Sequence, residues 1–122
     1  MVYTGTHDND TLLGWWASGA TEHERQQLHA YLGPCEDGIS WAMIRAASNS
    51  VASLCVVPLQ DALGLGSDAR MNVPSRERGN WHWRFDAESL RPELAKKFAA
   101  LAEVSDRLPQ PLPVTANEDW AA

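Results

Sequence analysis

Two short strand candidates separated by helical sequence limit this chain's fold more than any other feature. Residues 54–57 (Leu-Cys-Val-Val) are apolar on both faces and end at Pro58, a pattern typical of a buried strand in a parallel sheet. Val2 and Tyr3 form the end of an earlier strand. Two βα units in series predict parallel strands joined by a right-handed crossover. Because two strands cannot close a sheet, the pattern indicates a piece of a larger α/β structure.

Helix signals fill the intervals around these strands. A capping-box pattern, Thr21 followed by Glu24, predicts a helix that runs to about Leu32 and stops at Gly33. Apolar and small residues at helical spacing predict a second helix over residues 40–53, with Val51 on its inner face. A last helix is expected from Pro92, and residues 69–84 form a long aperiodic loop with four arginines and two tryptophans.

Composition excludes several function classes. The chain has 122 residues, a formal net charge of −6 and a pI of about 5.0, which argues against nucleic acid and anionic membranes as partners. No apolar run is long enough to span a membrane, and no secretory signal is recognisable. The spacing of Cys35 and Cys55 indicates neither a disulfide framework nor a zinc site. His23 and His29 do not share a helix face, which argues against a metal site between them. We therefore predict a cytoplasmic protein without a metal or an organic cofactor.

The strongest candidate for chemistry is the pair His7-Asp8, which follows the first strand and precedes a helix. Strand ends of this kind carry reacting groups in α/β enzymes. A carboxylate there can stabilise positive charge, and an imidazole can donate to a substrate oxygen. Taken alone, such a pair is more often part of an ordinary exposed loop.

A series of motifs then points to one family. The segments that carry the resemblance are, in chain order, Tyr3-Thr4-Gly5-Thr6-His7-Asp8-Asn9-Asp10-Thr11, Leu13-Gly14-Trp15-Trp16, Pro58-Leu59-Gln60-Asp61, Leu63-Gly64-Leu65-Gly66, Ala69-Arg70-Met71-Asn72, Pro74, Gly79-Asn80-Trp81 and Trp83-Arg84. Together they closely resemble the C-terminal end of the 4-α-glucanotransferases (amylomaltases or disproportionating enzymes), glycoside hydrolase family 77. The resemblance runs from about residue 2 to residue 84, with looser agreement up to the last helix.

The resemblance implies an α/β fold that is the C-terminal part of a (β/α)8 barrel, about two βα units, and not a complete barrel. Residues 2–4 would end the seventh strand and residues 54–57 would form the eighth. Residues 1–107 would be the barrel segment, from the end of strand 7 to helix 8, and residues 108–122 an extended tail. Both strand ends would then lie on the face of the barrel where active sites are built.

The resemblance also implies an activity, which is the transfer of α-1,4-glucan segments between maltooligosaccharides with retention. Asp8 would be the transition-state stabiliser of this reaction. The other residues expected to bind substrate are His7, Asn9, Asn72, Pro74 and Trp81. Arg70 and Arg84 are expected to pair with barrel carboxylates. Ser75 departs from the family, which usually has glycine after this proline, and a positive φ at that position would strain a serine.

No residue matches the family's nucleophile or its acid/base, so the chain is expected to be catalytically incomplete without the N-terminal part of the barrel. Two other readings stay open from the sequence. The chain could be a non-catalytic module that binds carbohydrate or another partner. It could equally be a truncated reading frame without a function of its own.

Overall fold

The computed structural model describes residues 1–109, in which short strands alternate with helices. The strands are β1 (Val2–Tyr3) and β2 (Cys55–Val56). The helices are α1 (Leu12–Gly14), α2 (Glu22–Leu32), α3 (Ile39–Ser48), α4 (Leu59–Ala62) and α5 (Pro92–Val104). A π-helical segment, Trp15–Gly19, continues α1, and 3-10 turns occupy Ser67–Ala69 and Ala87–Ser89. Most of the predicted tail, residues 110–122, lies outside the described residues.

The strands pair in parallel, which confirms the predicted βα order. Val2 lies opposite Cys55, and Tyr3 lies opposite Val56. The predicted burial of the second strand is wrong for this chain, because Leu54 is 49% exposed and Val56 is 37% exposed. A buried parallel strand needs a neighbour on each side and a layer on each face. Among residues 1–109, β2 has one neighbouring strand, β1.

The central helix of the fold is α3, which packs against the other four helices. On its inner face, the small side chains of Ala42 and Ser48 are buried. Ile44 on the same helix is completely excluded from solvent. Small side chains on this face let neighbouring elements approach closely, which fits the helical periodicity of the sequence. Among residues 1–109, no helix is both long and apolar enough to cross a membrane.

The α3 helix ends five residues earlier than predicted, and the expected inward position of Val51 is wrong because this side chain is fully exposed. Asn49 caps the helix by donating its side-chain Nδ2 to the carbonyl of Arg45 at 3.0 Å. Beyond it, Arg107 donates Nη2 to the carbonyls of Ser50 and Ala52 at 3.1 and 2.8 Å. These hydrogen bonds satisfy carbonyls after the helix end, and the chain turns towards β2 instead of continuing the helix.

The predicted capping box of α2 is confirmed. The amide of Glu24 donates to the Thr21 hydroxyl at 3.2 Å, and the Glu24 carboxylate accepts from the Thr21 amide and hydroxyl at 2.7 and 2.8 Å. The pKa of Glu24 is held below its ordinary value mainly by the hydrogen bond from the Thr21 backbone amide. The hydrogen bond from the Thr21 hydroxyl lowers it further. At the other end of the helix, Gly33 has a φ of +67°, a conformation that favours glycine.

Candidate functional site

The candidate site lies beyond the carboxyl ends of the paired strands, where two loops meet. The first loop, residues 4–11, connects β1 to α1 and carries the His-Asp pair. The second, residues 70–84, follows α4 and its 3-10 turn. Because β1 and β2 are parallel neighbours, the segments that leave them emerge on the same side of the sheet.

A buried carboxylate fixes both ends of the first loop. Asp61, on α4, is only 2% exposed. Its Oδ2 accepts from the Thr4 hydroxyl at 2.8 Å, and its Oδ1 accepts from the Leu12 amide at 2.8 Å. Thr4 begins the loop and Leu12 begins α1, so one side chain on α4 sets the span of the loop. Asp61 belongs to the resemblance motif, and its role as this anchor depends on partners that are distant in the sequence.

Inside the loop, Asn9 shapes the turn that presents the pair. Its side-chain Oδ1 accepts from the Thr6 backbone amide at 2.8 Å and from the Thr6 hydroxyl at 2.9 Å. The backbone amide of Asn9 donates to the Thr6 carbonyl at 3.1 Å. This asparagine turn places the two intervening residues at the tip of the loop. The side chains of His7 and Asp8 are accordingly 55% and 50% exposed.

The carboxylate of Asp8 is held from two sides. Asn72 Nδ2 donates to Asp8 Oδ1 at 2.6 Å, and His7 Nε2 lies 3.4 Å from Asp8 Oδ2. The backbone amide of Asn72 also donates to the His7 carbonyl at 3.1 Å. Asn72 therefore binds both members of the pair from the second loop, across 64 residues of sequence. A half-exposed carboxylate of fixed orientation beside an imidazole can bind sugar hydroxyls or stabilise a nearby positive charge.

The imidazole of His7 also contacts an aromatic ring. The ring centroids of His7 and Trp81 are 5.1 Å apart, with the planes tilted by 40°. Trp81 has a φ of +63°, which is unusual for a bulky residue, and its amide donates to the Met71 carbonyl at 2.7 Å. Strained backbone of this kind persists where surrounding contacts enforce it, and it is frequent at functional sites.

Polar contacts inside the second loop enforce its shape. Asn80 accepts from the Val73 amide at 3.0 Å and donates to the Arg76 carbonyl at 2.9 Å, which closes the loop on itself. Ser75, at its tip, has a φ of +67°. The conformation anticipated as unfavourable for a serine is therefore the one adopted.

The structure brings four of the six predicted site residues into one network: His7, Asp8, Asn72 and Trp81. Asn9 lies in the same loop and orders its turn, whereas Pro74 is exposed two residues beyond Asn72. The pairing of Arg70 with barrel carboxylates stays a prediction. In the described part of the chain Arg70 donates to backbone carbonyls of the site, those of Asp8 and Asn72, and not to carboxylates.

A cavity of about 160 Å³ separates the first loop from the start of the second. Its lining includes Gly5, Thr6 and Asn9 on one side and Gln60 and Arg70 on the other. Within residues 1–109, no group of three or more histidine, cysteine, aspartate or glutamate side chains could hold a metal ion. The side chains at this site supply hydrogen-bond donors, a carboxylate and aromatic faces.

Comparison with known proteins gives consistent matches. The sequence profile of the family described as 4-alpha-glucanotransferase matches residues 1–89. The 4-alpha-glucanotransferase of Synechocystis is 48% identical over 108 residues, which cover 88% of this chain and 21% of the relative. The 4-alpha-glucanotransferase of Thermus thermophilus is 46% identical over 114 residues, which cover 88% of this chain and 23% of the relative. The chain thus spans about a fifth of the length of these relatives.

A solved structure matches as well. The amylomaltase from Streptococcus agalactiae in complex with acarbose superimposes with a TM-score of 0.83 at 25% sequence identity. The superposition covers 89% of this chain and 22% of the amylomaltase.

Proposed function

Because the chain belongs to the 4-alpha-glucanotransferase family, glycoside hydrolase family 77, we propose that residues 1–107 supply the last two βα units of a (β/α)8 catalytic barrel. The parallel pairing of β1 with β2, the exposed β2 side chains and the similarity to an amylomaltase support this proposal. The remaining strands of the barrel would cover the free edges of the sheet. The proposal includes a cytoplasmic location, which the free thiols of Cys35 and Cys55 favour.

The proposed reaction is the transfer of α-1,4-glucan segments between maltooligosaccharides with retention. The observation that carries it is the hydrogen bond from Asn72 to Asp8, which joins the loops after the two strands at the face where barrel active sites lie. It leaves a half-exposed carboxylate in a fixed orientation next to His7. The similarity to an amylomaltase that is described in complex with acarbose supports a sugar-like ligand.

In this proposal, Asp8 stabilises the oxocarbenium-like transition state electrostatically, and His7 donates to hydroxyls of the same sugar. Asn72 holds the carboxylate at the edge of the cleft, and Asn9 maintains the turn. Trp81, which is 51% exposed beside the imidazole, offers an apolar face to a sugar ring. Pro74 would border the cleft further along the second loop.

Retaining transfer requires a nucleophile and an acid/base in addition to this stabiliser. Within residues 1–109, the loops after β1 and β2 offer only Asp8 as an exposed carboxylate in the His7 network. We therefore assign the other two carboxyl groups to earlier strands of the barrel. The chain by itself would then have no route to the covalent intermediate and would be inactive.

The test is a chimera in which this whole chain replaces the matching segment of the Thermus thermophilus enzyme, to which it is 46% identical. We expect the chimera to release glucose from maltotriose by disproportionation and the isolated chain to release none. Asp8→Asn should lower kcat of the chimera by about 10²-fold or more, as loss of an electrostatic stabiliser does.

Asp68→Asn is the matched control, because it removes an exposed aspartate on the 3-10 turn that precedes the second loop. It should leave kcat within about threefold of the unmodified chimera, as exposed substitutions away from a site usually do. An Asp8→Asn chimera with less than a tenfold loss would refute the role given to Asp8. Glucose release by the isolated chain would refute the assignment of the nucleophile to another segment.

A further inference from the structure

We propose that Arg70 is a positioning residue, which fixes the His7–Asp8 pair by clamping the two loops of the site together. This inference rests on the function proposed above and extends it to a residue outside the expected site. Arg70 acts through the backbone of its neighbours and is not proposed to touch the sugar.

The guanidinium of Arg70 bridges the two loops directly. Its Nη2 donates to the Asp8 carbonyl at 2.6 Å, and its Nε donates to the Asn72 carbonyl at 2.8 Å. A planar guanidinium presents these two donors at a fixed angle and spacing, so the two carbonyls are fixed relative to each other. Asn72 adds its own bonds to the His7 carbonyl and the Asp8 carboxylate. Arg70, Asp8 and Asn72 thus form a closed ring of hydrogen bonds.

The position of the pair depends strongly on this ring because the tip of the first loop is not packed into the core. Both side chains of the pair are half exposed, and the anchors provided by Asp61 lie at the ends of the loop, at Thr4 and Leu12. Loss of Arg70 would free the Asp8 carbonyl while leaving those anchors intact. A displacement of about 1 Å in a catalytic group can cost roughly 10²-fold in rate.

A second arginine provides a matched control. Arg107 also donates to backbone carbonyls, those of Ser48, Ser50 and Ala52, but these residues precede β2 and lie at the opposite end of the strands. Arg107→Ala removes a comparable set of hydrogen bonds without touching either loop of the site. It therefore reports the effect of lost stability alone.

The experiment measures maltotriose disproportionation by the full chimera with Arg70→Ala, Arg70→Lys or Arg107→Ala. We expect Arg70→Ala to lower kcat by roughly 10- to 100-fold with a change in KM of less than threefold, because a misplaced stabiliser weakens the transition state more than the ground state. Arg70→Lys should recover little, since an ammonium cannot bridge two carbonyls with the same geometry. Added millimolar guanidinium should restore part of the activity of Arg70→Ala only.

A readout that does not depend on activity is hydrogen exchange of the Asn72 amide, which donates to the His7 carbonyl. It should become faster in Arg70→Ala and stay unchanged in Arg107→Ala. The proposal is overturned if kcat of Arg70→Ala stays within threefold of the unmodified chimera. It is also overturned if both alanine variants lose kcat equally, or if the Asn72 amide exchanges at its original rate.

Failure of the proposed function gives a different pattern. In that case the unmodified chimera would be inactive, or Asp8→Asn would retain full activity. The exchange of the Asn72 amide would still report whether Arg70 joins the two loops.

Discussion

Replacing Asp61 tests how the first loop is held at the strand ends. This carboxylate is 2% exposed and accepts one hydrogen bond from the Thr4 hydroxyl and one from the Leu12 amide, each at 2.8 Å. Hydrogen bonds to charged groups contribute about 1.5–3 kcal/mol each. Asp61→Ala removes both and leaves the amide of a buried residue, Leu12, without its acceptor. We expect a loss of about 3–6 kcal/mol in the free energy that holds the loop closed.

Asp61→Asn separates charge from shape. Its amide oxygen can still accept from the Leu12 amide, while its NH2 group faces a Thr4 hydroxyl that can rotate to accept. Two charge-assisted bonds then become neutral ones of about 0.5–1.5 kcal/mol each. The asparagine variant should therefore lose less than the alanine variant.

The assay is hydrogen exchange of the Leu12 amide in the chimera, with the Leu28 amide of α2 as the reference. A loss of about 1.5–3 kcal/mol at this bond accelerates exchange by roughly 10- to 150-fold, because each 1.4 kcal/mol is a factor of ten. The asparagine variant should fall between the alanine variant and the unmodified chimera. If exchange at Leu12 changed by less than threefold in Asp61→Ala, the carboxylate would not be what holds the loop.

Two further predictions concern the second loop and α2. Ser75→Gly should relieve the positive φ of +67° and stabilise the loop by about 0.5–1 kcal/mol. Proteolysis of residues 73–80 should then be two- to fivefold slower, whereas Ser75→Ala should not slow it. The pKa of Glu24 is lower in the folded chain than in the unfolded chain, so its contribution to stability is present above the unfolded pKa and is lost as the pH falls through the folded pKa. An NMR titration should place the Glu24 carboxyl below its ordinary value, and Thr21→Val should return it towards that value; no change on losing the Thr21 hydroxyl would contradict the assigned cause.

Local sequence determined much of the secondary structure. The capping box at Thr21, the helix start at Pro92 and the end of α2 at Gly33 were all predicted, because each depends on contacts within one helical turn. The parallel βα order was also predictable, since it follows from alternating strands and helices. The family followed from motifs that are local in sequence.

Other local expectations were wrong because tertiary contacts override helix periodicity and strand hydrophobicity. Val51 fits the helical spacing of α3, yet Arg107 binds the carbonyls on either side of it and the chain leaves the helix. Leu54 is apolar enough for a core but has no layer to cover it here. The burial of a strand depends on its neighbours as much as on its own residues.

The sequence by itself singled out the candidates for the chemistry, which include His7, Asp8, Asn72 and Trp81. Only the tertiary structure decided that these residues meet, that Asp61 is buried beneath them and that Arg70 joins their loops. The physical reason is distance along the chain. Contacts within a turn are set by neighbouring residues, whereas a hydrogen bond across 64 residues forms only after two strands have paired and brought their carboxyl ends side by side.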